Sequence, residues 1–323
     1  MTVLVTGGAG YIGVHAALAL LDAGEKVVVL DDLSTGFAAA VPESAVLVEG
    51  DIGDIGLVRA ALADHRVDAV MHFAAKTVVP ESVADPSPYW RTNANKVARL
   101  LQAMRDEGVG ELVFSSTAAV YGDVSDKPVA EDAPTRPVSP YGRSKLAAEW
   151  LIEDCGRAYG LAYANLRYFN VAGADPRRRA GQSTAAATHL IKAACQAVLG
   201  KRGALQVFGT DYPTPDGTGV RDYIQVSDLA DAHLAALTHL RTGGKNLTLN
   251  AGYGRGYSVR EVIAAVGRVA GQTVPTKEAP RRPGDPASIV ADVSRIRGTL
   301  DWRPRFDDLD QIVAQALAWE RQL

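Results

Sequence analysis

The stretch Gly7-Gly8-Ala9-Gly10-Tyr11-Ile12-Gly13 limits what this chain can fold into more than any other. It follows a short apolar run, Thr2-Val3-Leu4-Val5-Thr6, and opens an alanine- and leucine-rich segment that reads as a helix to about Ala23. Gly24 closes that segment, and Lys26-Val27-Val28-Val29-Leu30-Asp31 reads as a second strand. Strand, glycine loop, helix and strand in so short a span make a βαβ unit. Gly8-x-Gly10-x-x-Gly13 permits a tight turn and lets a pyrophosphate approach the helix N-terminus, where free amides and the dipole favour anions. Asp31 ends the second strand, where a carboxylate accepts hydrogen bonds from an adenosine ribose. An anion there repels the extra phosphate of NADP, so NAD is the expected cofactor, with Gly7, Gly10, Tyr11, Ile12, Gly13 and Asp31 around it.

Further strands are expected at 46–48, 69–72, 112–114, 162–167 and 247–250, with helices at about 54–64, 89–107, 140–158 and 228–240. Continuous apolar strands alternating with amphipathic helices predict an α/β fold, a Rossmann-type doubly wound parallel sheet. Asp51-Ile52 follows the third strand; an acid there suits an adenine contact or a loop-end cap. Phe73-Ala74-Ala75-Lys76 follows the fourth strand, and small residues at that end let the backbone approach the cofactor. His72 on its own reads as a core histidine rather than a catalyst.

After Asn170 the character changes. Segment 172–224 is rich in Gly, Pro, Thr and Arg, helix and strand return at 228–250, and polar, proline-rich stretches dominate from Gly252. The expected division is a NAD-binding domain of residues 1–170, with 225–251 returning to it, and a smaller, interleaved substrate lobe mainly from 171–323. That lobe would cover the carboxyl ends of the strands, where open α/β sheets bind ligands.

With 323 residues, 47% hydrophobic and 22% charged, the chain reads as an ordinary globular protein. A formal charge of −3 gives no reason to expect nucleic acid or an anionic membrane as partner. Apolar runs such as Val27–Leu30 are too short to cross a bilayer, and the first strand begins too early for a leader to precede it. Cys155 and Cys195 lie in helical patterns without disulfide or metal spacing and read as buried thiols of a reducing, cytoplasmic compartment. No metal is expected. Arg177-Arg178-Arg179 reads as a solvated loop rather than an additional site.

Ser139-Pro140-Tyr141-Gly142-Arg143-Ser144-Lys145 carries the chemistry. Serine is a good N-cap and proline suits the first helical position, so Tyr141 and Lys145 fall one turn apart on one face. A tyrosine is a poor base at neutrality. An ammonium nearby favours the phenolate, by about 1–3 pKa units at close range, which makes Tyr141 a proton acceptor for a substrate hydroxyl.

Thr6-Gly7-Gly8-Ala9-Gly10-Tyr11-Ile12-Gly13, Asn93, Ser115-Ser116-Thr117 and Tyr141-x-x-x-Lys145 together resemble the extended short-chain dehydrogenase/reductase superfamily. Four further stretches are similar to its UDP-glucose (UDP-galactose) 4-epimerase family: residues 114–122, Leu166-Arg167-Tyr168-Phe169-Asn170, residues 208–223, and Arg281-Arg282-Pro283-Gly284-Asp285. The similarity runs from Val3 to about Trp319. The resemblance implies a catalytic trio of Thr117, Tyr141 and Lys145, with Thr117 standing where many members have serine. It adds Asp51, Ile52, Phe73, Ala74, Ala75, Asn93, Ser115 and Tyr168, besides Tyr141 and Lys145, to the NAD contacts. Around the UDP-sugar it implies Lys76, Thr117, Asn170, Leu190, Phe208, Arg221, Tyr223, Arg282 and Asp285. The chemistry agrees, since two arginines fork onto a diphosphate, an aromatic stacks on uracil and Asp285 accepts from a ribose. His189 departs from the family's common asparagine. Ile289 stands where a large tyrosine is associated with exclusion of N-acetylated sugars, and an isoleucine leaves intermediate room.

The implied activity is reversible 4-epimerisation of a UDP-hexose through a transient 4-keto sugar, with NAD bound throughout. The same enzyme class acting on UDP-N-acetylglucosamine, a UDP-pentose or a UDP-uronate is the alternative. A 4,6-dehydratase needs an extra acid and base beside the site, and Ala118-Ala119 after Thr117 supply neither. A non-catalytic NAD-binding scaffold would be expected to lack the tyrosine or lysine, and both are present. By resemblance, helices 89–107 and 140–158 would pair with a second copy in a homodimer.

Overall fold

Valine- and leucine-rich runs bounded by glycine or aspartate form the central strands, and alanine-rich amphipathic segments form the helices between them. The computed structural model describes residues 1–123, 128–184, 188–282 and 285–323. Its first half contains β1 (Thr2–Thr6), α1 (Tyr11–Asp22), β2 (Lys26–Asp31), β3 (Val46–Glu49), α2 (Ile55–Asp64), β4 (Ala69–His72), α3 (Val79–Ala84), α4 (Ser87–Trp90), α5 (Lys96–Asp106), β5 (Glu111–Thr117), α6 (Pro140–Tyr159) and β6 (Ala162–Tyr168). Its second half contains β7 (Asn170–Ala172), α7 (Leu190–Val198), β8 (Leu205–Phe208), β9 (Val220–Gln225), α8 (Val226–Arg241), β10 (Leu247–Ala251), β11 (Gly256–Ser258), α9 (Val259–Ala270), β12 (Thr276–Ala279), β13 (Ser288–Ile289), α10 (Ser294–Thr299) and α11 (Leu309–Glu320).

Seven strands form a parallel sheet in the order β10-β6-β5-β4-β1-β2-β3, the Rossmann-type doubly wound arrangement the sequence predicts. Both faces of the central strands are covered, which is why β1, β2 and β4 are largely apolar. Leu4, Val28, Leu30, Val70, Leu112 and Phe114 pack on one face with Leu100 and Met104 of α5 and Ile152 of α6. Val3, Val5, Val27, Val29 and Val113 pack on the other with α1 and α8. Alternation along each strand sends neighbours to opposite faces, and truncating one such residue to alanine costs about 2–5 kcal/mol. The strand order reverses between β1 and β4, and ligands bind such sheets at that switch point.

A second sheet, β11-β9-β13 with β7 also on β9, stands beyond the end of β6, and β8 pairs with β12. Asp222 of β9 is fully buried and accepts the backbone N–H groups of Tyr253 (3.0 Å) and Gly254 (2.9 Å). Asp228 of α8 accepts from the Tyr253 hydroxyl (2.6 Å) and the N–H groups of Arg305 and Phe306 (2.9 Å each), holding the C-terminal segment to the sheet.

Four features differ from expectation. The single helix expected over 89–107 is α4 and α5 joined by a π-helical turn at 91–95, a wider turn that carries the buried Asn93. The polar region after Gly252 contains two capped helices, α9 and α11. Cys195 is buried, but Cys155 is only half-buried, at the edge of the core that Ile152 of α6 shares with the sheet. Arg177 and Arg179 are not simply solvated: both pair with Asp22 of α1, and Arg179 also donates to Asp175 at 2.9 Å.

Candidate active site

The glycine loop between β1 and α1 packs against the end of β4. Gly7 has φ +70°, and a Cβ on it would lie 2.5 Å from the Ala74 nitrogen. A Cβ on Gly13 would lie 2.2 Å from the Gly7 carbonyl oxygen, so these two positions admit only glycine without backbone movement. Asp31 ends β2 buried, accepting the N–H of Ala9 through Oδ2 (3.0 Å) and that of Leu33 through Oδ1 (2.9 Å). Burial raises its pKa, and the two N–H donors work against that. This loop, helix start and acid suit a dinucleotide: the N-terminus faces a pyrophosphate and the acid a ribose.

These residues open into one cleft of about 1260 Å³ that continues to the second sheet. Gly7, Gly10, Tyr11, Ile12, Gly13, Asp31, Asp51, Ile52, Phe73, Ala74, Ala75, Lys76, Ser115, Thr117, Tyr141, Lys145 and Tyr168 line its first part. Asn170, Leu190, Phe208, Arg221, Tyr223, Arg282, Asp285 and Ile289 line the rest. Pro283 and Gly284 of the arginine-proline motif lie outside the described residues.

Asn93 is the exception. It does not line the cleft; its Oδ1 accepts the Lys76 N–H (2.9 Å), and its Nδ2 donates to the Lys76 carbonyl (2.9 Å) and Ser144 Oγ (3.1 Å). The amide is fully occupied in fastening the loop after β4 to α6. Of the two readings of Asp51, the structure shows the loop-end cap. It faces the cleft, caps the Gly53 N–H (2.7 Å) and pairs with Lys96, which the sequence did not single out. Burial alone would raise its pKa, but Lys96 and that N–H outweigh it and lower it.

Ser139 caps α6 by accepting the Gly142 N–H (3.1 Å), with Pro140 in its first turn. Tyr141 and Lys145 are buried on the face of α6 towards β5. Lys145 Nζ donates to the Ser115 carbonyl (2.8 Å) and stands 4.8 Å from the Phe114 ring centre. Burial pushes the Lys145 ammonium down to about 7, and Glu149 opposes this. Thr117 Oγ1 accepts the Ala119 N–H (3.2 Å), which leaves its own hydrogen for Tyr141. Burial raises the Tyr141 hydroxyl, and the Thr117 hydrogen bond pulls it back. The sequence assigned that pull to Lys145; in this geometry Lys145 spends its bond on the strand carbonyl and Thr117 favours the phenolate. Tyr168 closes this side by bonding to Ser115 Oγ.

His72 is the core residue expected. It bonds Thr6 Oγ1 through Nδ1 (2.6 Å), stacks on Phe114, and burial lowers its pKa to about 3.

The second sheet collects the expected substrate side chains through its register. Asn170 of β7 lies opposite Tyr223 of β9, and Ile289 of β13 lies opposite Arg221. Arg221 and Tyr223 are two apart and share a face. Arg221 donates to Asp285 (3.3 Å), while the Arg282 guanidinium stacks 3.8 Å over the Phe208 ring. Leu190 opens α7 behind His189, whose Nδ1 is held by Gln182 at 2.7 Å, a pair the sequence did not bring out.

A dinucleotide cradle, a buried Thr–Tyr–Lys group and a cationic, aromatic far wall define an enzyme that works on a hydroxyl beside a nicotinamide. The chain belongs to the NAD dependent epimerase/dehydratase family, whose pattern matches residues 3–252, and NAD is its cofactor. Its full length is similar to UDP-glucose 4-epimerases in particular. That of Azospirillum brasilense is 58% identical over 321 residues, covering 99% of this chain and 92% of that protein. The crystal structure of the Brucella ovis UDP-glucose 4-epimerase in complex with NAD is 43% identical with a TM-score of 0.95, covering 99% of this chain and 98% of that one. The Bifidobacterium longum enzyme in complex with NAD+ and UDP is 37% identical with a TM-score of 0.95, covering 100% and 98%.

Proposed function

We propose that this protein interconverts UDP-galactose and UDP-glucose by inverting carbon 4 of the sugar. The observation that carries the reading is the Thr117–Tyr141–Lys145 group at the junction of the dinucleotide cradle with the arginine- and aromatic-lined part of the cleft. When bound, NAD supplies the hydride acceptor and donor for carbon 4. Tyr141 takes the proton from the carbon-4 hydroxyl and later returns it, and Thr117 stabilises the phenolate by hydrogen bonding. Lys145, seated on the Ser115 carbonyl, offers its ammonium to the nicotinamide ribose. Arg221 and Arg282 hold the diphosphate while the 4-keto sugar turns to present its other face. Phe208 offers its ring to uracil once Arg282 moves to the phosphates. Asn170, Leu190, Tyr223 and Asp285 complete the UDP-sugar contacts, and Lys76 borders the sugar.

Residues 171–323, apart from 225–251, form the UDP-sugar lobe in this reading, and residues 1–170 the NAD-binding domain. A homodimer is supported by the exposure of Trp90 on α4, Val83 on α3 and Trp150 on α6, large apolar side chains beside the two helices expected to pair. No helix among the described residues is long and apolar enough to cross a membrane. Free Cys155 and Cys195 support a reducing, cytoplasmic location. Incubating the purified protein with UDP-galactose and no added NAD tests the function. UDP-glucose should accumulate without net NADH; unchanged UDP-galactose would sink the reading.

A further inference from the structure

Three buried residues follow one another at four-residue spacing along α6: Tyr141, Lys145 and Glu149. The first two face the reaction. Glu149 is fully buried one turn deeper, and no step above uses it. Its carboxylate accepts from Ser116 Oγ, from Arg167 Nε (3.0 Å) and from Arg167 Nη2 (2.6 Å). Arg167 of β6 also donates to the Tyr121 hydroxyl (3.1 Å) and the Glu131 carbonyl (3.2 Å), and the Tyr121 hydroxyl donates to Asn250 Oδ1 of β10 (2.6 Å). Ser116 sits between Ser115, whose carbonyl holds Lys145, and Thr117, whose hydroxyl bonds Tyr141. One carboxylate therefore pins α6 to both strands at the residue between its two active-site contacts.

We propose that Glu149 is a positioning residue for the reaction, fixing Tyr141 and Lys145 against β5 and keeping Lys145 charged from beneath. A buried carboxylate is costly unless fully paired, and here every oxygen is engaged by groups that also build the site. The titratable and charged groups facing this stretch are Tyr141 and Glu153 on the same helix, His72 on β4, Tyr163, Arg167 and Tyr168 on β6, Tyr121 after β5, Glu131, and Tyr89 of α4 with Glu81 of α3. His72 is neutral at working pH, since burial holds it near 3. Burial alone drives Lys145 towards its neutral form, and Glu149 is the group that opposes it.

The role rests on the epimerase reading, but its test has a readout that does not. Acetylation of Lys145 by a small amine-reactive reagent, followed by peptide mass spectrometry from pH 6 to 10, reports the uncharged amine in the protein as purified. In Glu149→Gln the midpoint should fall by about one pH unit, and in Ser116→Ala, which keeps both charges, it should stay. The alkaline limb of kcat on UDP-galactose should move with it, whereas Ser116→Ala should lower kcat at every pH without moving the limb. If Glu149→Gln does not fold, Glu149→Gln with Arg167→Met removes the pair without stranding a buried charge and should lower the midpoint by a smaller amount, since the repulsion between Arg167 and Lys145 is lost as well. An unmoved acetylation midpoint in whichever variant folds would overturn the inference. A shifted midpoint in a protein inactive on UDP-galactose would sink the epimerase reading and leave Glu149's role standing.

Discussion

Lys145 Nζ lies 2.8 Å from the Ser115 carbonyl oxygen, so the lysine one turn beyond Tyr141 is anchored to the strand and not to the tyrosine. The tyrosine's partner is Thr117, two residues along that strand. Helix and strand thus each contribute one end of two neighbouring contacts, and the tyrosine is held without direct ion pairing.

If Tyr141 is the base, Tyr141→Phe removes the only atom that exchanges the proton. Turnover should fall by at least 10²-fold, the lower range for a general base, while UDP binding is kept. Steady-state kinetics alongside calorimetric UDP titration checks this; a variant retaining most of its kcat would refute the assignment.

Arg221 is already steered by Asp285 at 3.3 Å, and Arg282 waits on the Phe208 ring. Charge-assisted bonds to a diphosphate are worth about 1.5–3 kcal/mol each. Arg221→Ala should therefore weaken UDP binding by about 10- to 100-fold and leave bound NAD in place. Equal loss of NAD would show a general collapse of the cleft instead.

Three buried histidines give the protein an acid limit. Burial lowers His15 to about 4, His72 to about 3 and His233 to about 4, whereas an unfolded histidine titrates near 6.5. Between those values the unfolded chain binds more protons, so stability rises with pH there and is lost as pH falls from 6.5 towards 4. Urea midpoints should drop steadily across that window; a flat profile would mean these rings are charged in the folded state.

Arg179 ties the loop after β7 to α1 through Asp22 and to Asp175, which is itself buried. Arg179→Ala leaves buried Asp175 with only the backbone N–H groups of residues 177 and 179 and should cost about 1 kcal/mol, discounted because the arginine is partly exposed. Denaturant unfolding reads this directly, and no loss would restore the solvated-loop reading.

The first half of the fold was legible because its signals are local: the glycine loop, apolar strands and Ser139-Pro140 each specify a conformation within a few residues. The second sheet was not, since Asn170, Arg221, Tyr223 and Ile289 meet only through pairing between strands far apart in sequence. Asn93 was assigned to the cofactor but serves Lys76 and Ser144, and nothing in its neighbours announces a π turn. Helix α9 carried a readable capping box, Ser258 with Glu261, amid polar residues that masked it. Nothing in the sequence singles out Glu149, because its partner Arg167 lies on β6, eighteen residues further on.

The central claim is that hydrogen leaves carbon 4 and returns to the same atom without meeting solvent. UDP-galactose deuterated at carbon 4, incubated with the protein in ordinary water, tests it most directly. The account predicts UDP-glucose with the deuterium still on carbon 4. Product carrying hydrogen from water at that position would contradict it.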